Sequence, residues 1–258
     1  MSSRSWRKMK GVQGKALVAG GKTIIGIGLL WQAVVTLTGC PPYILPPPLR
    51  VLRALGVHAG TLFHHMLCTL AEIGLGLALG TALGMACALV MAWFPAVRRW
   101  LMPVIAASQS IPVFALAPLL VLWLGYGLGS KVAMTTLIIF FPITSSFLDG
   151  LNRTDKGLLD LAQVLGASRW AVLCHIRLPS ALPALGSGLR MAAAVAPIGA
   201  VIGEWVGASD GLGYLMLHAN ARVQTDLMFA ALLVLALLTV TLFTLIDRLS
   251  RLLVPWEP

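Results

Sequence analysis

Long apolar stretches dominate this chain, and they restrict its fold more than any other feature. Residues 67–93 contain a single charged side chain, and residues 227–246 contain none. A helix needs about 20 apolar residues to cross the hydrocarbon core of a bilayer, which is about 30 Å thick. Backbone polar groups in lipid must bond within their own segment, and runs rich in Leu, Ala and Gly do so as helices. The sequence therefore predicts an all-α membrane protein.

The pattern predicts about six transmembrane helices in a single domain, residues 23–258, after a basic tail, residues 1–22. Only 11% of the residues are charged, against about 25% in soluble domains. The predicted spans are residues 23–39, 67–93, 100–124, 132–148, 185–206 and 227–246. Three prolines interrupt the third of them, so we expect that helix to be kinked or broken.

The formal net charge of +10 comes from basic residues that lie mainly between the spans. Such residues favour the cytoplasmic side of a membrane. With the N-terminus inside, 15 of the 19 Lys and Arg residues are cytoplasmic. The outer side then receives four basic residues, which are Arg50, Arg53, Lys131 and Arg222. This bias predicts that both termini are cytoplasmic, and it favours topology over nucleic-acid binding as the origin of the charge.

One polar segment, residues 157–177, interrupts the apolar pattern on the predicted cytoplasmic side. Asp155 precedes an apolar helical stripe and can cap its start. Gly166 is suited to end that helix, because glycine readily adopts a positive φ. Ser168 can cap a second helix, which we expect Pro179 to stop. The segment thus predicts two short helices joined at a glycine.

This segment resembles the cytoplasmic coupling loop of ABC-importer permeases, whose signature is an EAA triplet, a glycine and an I-x-L-P run. The residues that carry the likeness are Asp160, Leu161, Ala162, Gly166, Ile176, Leu178 and Pro179. Asp replaces the usual Glu and Leu the first Ala, which keeps an acidic helix start and an apolar face. The resemblance places a coupling loop at about residues 151–183.

Three further segments are similar to permeases of the nitrate, sulfonate and taurine importer group: residues 41–55, 110–131 and 203–232. The last of these looks most like permeases assigned to hydroxymethylpyrimidine, a thiamine precursor. Sulfonate, taurine or nitrate stays open as the alternative solute class. The family resemblance implies a type I importer bundle in a bacterial inner membrane, surrounded by lipid, that is not itself an enzyme.

The resemblance also implies partners: a cytoplasmic ATPase dimer, an extracytoplasmic solute-binding protein and a second permease copy. ATP and Mg²⁺ would be bound by the ATPase, and we expect no cofactor or metal in this chain. Packing against the ATPase would come from Leu161, Leu165, Trp170 and Leu173, with ion pairs from Asp160, Arg169 and Arg177. Segments 41–65 and 207–226 are the candidate docking surface for the binding protein.

A few polar residues inside the spans are candidates for a translocation path: Glu72, Ser108, Gln109, Ser110 and Glu204. A carboxylate within a membrane is expensive and often functional. Glu72 lies near a span end, however, and could instead reach the interface, while Glu204 could snorkel or face a partner. The three residues from Ser108 to Ser110 could line a path or bond neighbouring helices.

Two other readings of the sequence are less well supported. A stand-alone secondary transporter would need inverted repeats or a coupling carboxylate near mid-membrane, and neither is evident. A metal site at His58, His64 and His65 lacks a carboxylate or cysteine to complete it.

Gly76, Gly80 and Gly84 form a row of small residues that predicts close helix packing.

Overall fold

The computed structural model describes residue 23 and residues 25–254, and every regular element in this part of the chain is helical. The predicted basic tail, residues 1–22, lies outside the described residues. The all-α prediction is confirmed for the described residues. The division into one tail and one transmembrane domain stays a prediction.

Eleven helices, which we number α1 to α11, follow one another along the described residues. Their bounds are α1 Ile25–Thr38, α2 Pro48–Val57, α3 Ala59–Trp93, α4 Pro95–Ser108, α5 Val113–Leu124, α6 Leu128–Asn152, α7 Lys156–Val164, α8 Arg169–Val172, α9 Leu178–Gly207, α10 Leu212–Ala221 and α11 Thr225–Leu253. A wide π-helical turn, Leu173–Arg177, joins α8 to α9 without a break.

Four of these helical segments are long and apolar enough to cross a membrane by themselves. They are α3, α6, α11 and the continuous helix Arg169–Gly207. The pair α4 and α5 makes at most a fifth span, and α1 is a shorter apolar helix. By length and composition, the described residues therefore hold four or five spans rather than the six expected.

The third predicted span is broken, as its prolines led us to expect. Helices α4 and α5 meet at a bend of 100°. Pro112 precedes α5 in an extended conformation and has no N–H to continue the α4 ladder. The residue before a proline also avoids the helical region, so the chain turns between Gln109 and Pro112. This break exposes the polar residues that the sequence placed there.

The backbone forms two compact units, which we describe separately. In the first, formed by the described residues up to Ala59 and by Ala219–Ala230, the rings of Trp31 and Phe229 lie 5.7 Å apart. The second unit comprises Gly60–His218 and the residues from Ala231 onward. Its core is built around α6, and includes Ile73, Ile139, Ile143, Phe147 and Leu185, all nearly inaccessible to solvent.

The glycine row on α3 lies directly against α6, as predicted. A Cβ placed on Gly76 would lie 2.5 Å from Thr135 Cγ2, and one on Gly80 would lie 2.5 Å from Ile139 Cγ1. Helix α9 also approaches α6 closely, since a Cβ on Gly199 would lie 2.7 Å from Thr135 Cα. Glycines on α3 and on α9 therefore let both helices pack closely on α6.

We expect Gly80→Val to destabilise the helix bundle by about 1–3 kcal/mol, the usual cost of overpacking. Gly74 on the same helix is a matched control, because a Cβ there would meet nothing within 4 Å. Thermal unfolding of both variants in mild detergent, followed by tryptophan fluorescence, measures the difference. Equal melting temperatures for Gly80→Val and Gly74→Val would contradict the close packing of α3 on α6.

Candidate functional site

The coupling segment folds as the sequence predicts up to its second helix. Asp155 caps α7, because its Oδ1 accepts a hydrogen bond of 3.1 Å from Leu158 N. Gly166 follows the helix with φ +70°, a left-handed conformation that glycine adopts without strain. Ser168 Oγ accepts from Ala171 N at 3.2 Å and so caps α8. The two helices are therefore set at an angle by one glycine.

The outer surface of this segment carries large apolar side chains that its own bundle does not cover. Leu161 is 55% exposed, Leu165 is 75% exposed and Trp170 is 65% exposed. Val164, which the sequence reasoning missed, is 84% exposed. The charged side chain of Asp160 lies exposed beside them. An apolar patch in a polar connecting segment indicates a surface for another protein.

Other residues of the segment face the bundle instead, and one of them corrects a prediction. Leu173, which we expected to pack on the ATPase, is 8% exposed and belongs to the core. Ala162 is also buried, while Ile176 and Leu178 are half-buried. Arg177 lines a pocket of about 670 Å³ with Arg169, and neither arginine pairs with a carboxylate among the described residues.

The prediction that Pro179 ends the second helix is wrong. The helix continues through the π turn into α9, with Pro179 in the first turn of that helix. Leu178 N bonds the carbonyl of Leu173, five residues back, which widens the turn just before the proline. A proline ring normally collides with the carbonyl four residues earlier, and a wider turn makes room for it. The coupling segment is therefore continuous with the span-length helix Arg169–Gly207.

The predicted path residues fall into two groups. Gln109 and Ser110 lie exposed at the break between α4 and α5, and Ser108 Oγ donates to Ile105 O of its own helix at 2.7 Å. Glu72 and Glu204 are each only 1% exposed. Both carboxylates bond groups inside the bundle, and neither reaches its surface. Whether any of the five touches solute stays a prediction.

Glu72 forms a buried ion pair with Lys131, a residue that we expected to find in a loop. Lys131 Nζ donates to Glu72 Oε1 at 2.8 Å, and Lys131 is 6% exposed. We expected Lys131 in a loop on the outer side of the membrane; the side stays a prediction, but the residue is not in a loop. It lies in the first turn of α6, where Gly203 of α9 packs on its Cα. The missing glycine side chain brings α9 close enough to cover the lysine.

Glu204 belongs to a second group of contacts, which hold the start of α10. Thr69 Oγ1 donates to Glu204 Oε1 at 2.6 Å and accepts from Leu212 N at 2.8 Å. Glu204 Oε2 accepts from Gly213 N, and His65 Nδ1 accepts from Gly211 N at 3.0 Å. The first N–H groups of a helix have no partners within it. Here three side chains from α3 and α9 accept hydrogen bonds from these N–H groups. We call His65, Thr69 and Glu204 the latch.

The segment before α10 is held by one more exposed contact. His64 Nε2 lies 3.2 Å from Asp210 Oδ1, and Ser209 Oγ donates to Asp210 Oδ2 at 2.9 Å. The hydrogen bonds from Ser209 and His64 lower the pKa of Asp210 below its ordinary value. Within the described residues, no group of three His, Cys, Asp or Glu side chains is arranged to hold a metal ion.

Comparison with known proteins identifies the class to which this bundle belongs. Residues 80–257 match the family described as the binding-protein-dependent transport system inner membrane component. The match covers more than half of the chain, so the chain belongs to this family. A chain of the MetNI methionine ABC transporter, in an inward-facing crystal form, shares the fold with a TM-score of 0.64. That alignment covers 73% of this chain and 94% of the other at 20% identity.

Three curated relatives align over nearly their whole length. A probable ABC transporter permease protein of Haemophilus influenzae is 52% identical over 88% of this chain and 93% of its own. The riboflavin transport system permease protein RibX of Chloroflexus aurantiacus is 42% identical over 91% and 88%. The formylaminopyrimidine transport permease protein ThiX of Halalkalibacterium halodurans is 40% identical over 89% and 92%.

These findings establish which subunit of a transporter this chain is. It is the permease subunit of an ABC importer, with the type I importer fold, and it lies in the inner membrane as a multi-pass protein. It is a transport component rather than an enzyme. The family depends on a solute-binding protein and on an ATPase, so partners of both kinds act with this chain.

Proposed function

We propose that the coupling loop, residues 151–183, docks on a cytoplasmic ATPase dimer that binds ATP and Mg²⁺. The observation that carries the proposal is the apolar surface of Leu161, Val164, Leu165 and Trp170, which the bundle leaves uncovered. These side chains would fill a groove on the ATPase, where buried aromatic anchors contribute most of the binding energy. Asp160 and Arg169, both exposed, would orient the two surfaces through ion pairs.

The continuity of the docking segment with a span supports a mechanical role. Helix α8 passes through the π turn into α9 without a break, and α9 packs on α6 through Gly199 and Gly203. Helix α6 ends at Asn152, shortly before α7 begins. A rotation of the loop would thus be transmitted to two packed spans. ATP binding would favour one arrangement of the bundle through its contacts with the loop, which is a population shift.

The solute path would form between two copies of the chain, which is the arrangement that the family resemblance implies. Gln109 and Ser110, exposed at the break between α4 and α5, are the polar groups that could contact cargo. Glu72 and Glu204 are both sealed inside the bundle. In this conformation they serve packing and positioning, and only a rearrangement would bring them to a path.

For the solute, we propose a small heterocycle with a pyrimidine ring, such as a hydroxymethylpyrimidine-like thiamine precursor. Two relatives at about 40% identity are named as formylaminopyrimidine and riboflavin permeases, and both of those solutes contain a pyrimidine ring. In importers of this family the binding protein makes the first choice of solute. Sulfonate, taurine or nitrate is the alternative, and it predicts a cationic rather than an aromatic site on the binding protein.

The solute is tested by a pull-down of the tagged chain from its native host in mild detergent. We expect an ATPase and a solute-binding protein to be recovered with it. Titration calorimetry of that binding protein with hydroxymethylpyrimidine, riboflavin and taurine then identifies the class. Binding of taurine alone would overturn the pyrimidine proposal but not the importer assembly, whereas recovery of the chain alone would contradict the assembly.

The docking surface is tested by Trp170→Ala. We expect recovery of the ATPase with the tagged chain to fall at least about tenfold, because a buried aromatic anchor contributes 2 kcal/mol or more. Trp123→Ala is a matched control, since Trp123 is 70% exposed but lies on α5, away from the loop. Unchanged recovery with Trp170→Ala would show that Trp170 serves its contact with Trp93, whose ring centroid is 6.0 Å away.

A further inference from the structure

The latch combines features that a purely hydrophobic helix contact does not need. His65, Thr69 and Glu204 are each at most 9% exposed, and all three direct polar atoms at one short stretch of backbone. Buried polar groups are costly unless they are bonded, so a chain retains them where geometry matters more than stability. Their targets are the backbone N–H groups of Gly211, Leu212 and Gly213.

The segment on the other side of these bonds is shaped to receive them. Gly211 has φ +113°, which side-chain-bearing residues rarely adopt. A Cβ on Gly211 would collide with the Glu204 carboxyl group, and one on Gly213 would lie 2.7 Å from Glu204 Oε2. The start of α10 therefore lies directly on the carboxylate of α9. Trp205 of α9 adds a further bond, as its Nε1 donates to Gly213 O at 3.1 Å.

We propose that His65, Thr69 and Glu204 are positioning residues that transmit docking of the solute-binding protein to helices α3 and α9. The inference rests on the proposed function and on docking of the binding protein at residues 207–226, which the family resemblance implies. A force on α10 would reach both spans through the latch, and α9 continues at its other end into the coupling loop. One helix thus connects the outer segment to the ATPase surface.

The Thr69 hydroxyl is the best group to test by substitution, because it both donates to Glu204 and accepts from Leu212 N. Thr69→Val removes both bonds at nearly constant volume, and Thr69→Ser keeps them. Thr241→Val is the matched control, since the Thr241 hydroxyl is exposed and bonds Leu237 O of its own helix. The importer complex recovered from the native host is reconstituted in lipid nanodiscs with its binding protein and that protein's bound solute.

The measured quantity is the ATPase rate with the loaded binding protein divided by the rate without it. We expect Thr69→Val to lower this ratio at least about five-fold, the low end of typical coupling between sites. Thr69→Ser and Thr241→Val should keep the wild-type ratio. The melting temperature of each variant, measured beside its ratio, distinguishes a general loss of stability from lost coupling.

The wild-type complex tests the proposed assembly, and the variants test the role of the latch. If the wild-type complex shows no stimulation by its binding protein, the proposed assembly fails. If the wild type is stimulated and Thr69→Val is stimulated equally, the latch has no coupling role and the inference is overturned. Should Thr69→Val not fold, Glu204→Leu decides, because leucine has no atom that can accept from Thr69 or from Gly213. A wild-type ratio in Glu204→Leu would likewise overturn the inference.

Discussion

Gly166→Pro should abolish solute uptake while the protein still inserts into the membrane. The backbone φ at Gly166 is +70°, whereas proline fixes φ near −65°. Proline also removes the N–H that Gly166 donates to Gln163 O at 3.0 Å. The angle between α7 and α8 would change, and the apolar surface for the ATPase would be divided. Uptake of labelled solute in cells, normalised to membrane-embedded protein, measures the effect.

Gly166→Asn is the informative control for this prediction. A Cβ atom on Gly166 would meet nothing within 4 Å, so the constraint at this atom is conformational rather than steric. Asparagine tolerates the left-handed region better than other residues with a side chain. We expect it to retain most of the uptake. Normal uptake by Gly166→Pro would sink the idea that the angle between the two helices transmits force.

Lys131→Met should be the most destabilising single substitution in the bundle, at about 3–5 kcal/mol. The change leaves Glu72, 1% exposed, without its ammonium partner inside the protein. Glu72 Oε2 already has no hydrogen-bond partner within the described residues, and no second cation there pairs with Glu72. Thermal unfolding in detergent and the yield of monodisperse protein report the loss. Lys156→Met, at an exposed site, is the matched control.

The double variant Glu72→Leu with Lys131→Met separates the pair from its surroundings. Replacing both charges with apolar groups removes the desolvation cost, and such replacements are often neutral or stabilising. We expect the double variant to melt well above Lys131→Met alone. If the two single substitutions instead add, Glu72 and Lys131 do not act as a pair, and the structural assignment of this contact is wrong.

Much of the coupling loop could be predicted because its signals are local. Asp155 and Ser168 each accept a hydrogen bond from the backbone N–H three residues later. The positive φ at Gly166 depends only on the backbone of that residue. The glycine row of α3 was likewise correct, since residues four apart share one helix face whatever packs there. Exposure of Leu165 and Trp170 followed from their place in a polar loop. The continuation of the helix through Pro179 could not be predicted, because it depends on a π turn for which the sequence has no recognisable pattern.

The apolar runs by themselves determined that this chain is a helical membrane protein, since a segment in lipid must satisfy its backbone internally. The family and the coupling loop followed from short motifs. Only the tertiary structure decided the fate of the charged residues. Lys131 meets Glu72 from 59 residues away, and Glu204 meets Thr69 from 135 residues away. No local pattern encodes such partners, because helix packing alone brings them together and removes them from water and lipid.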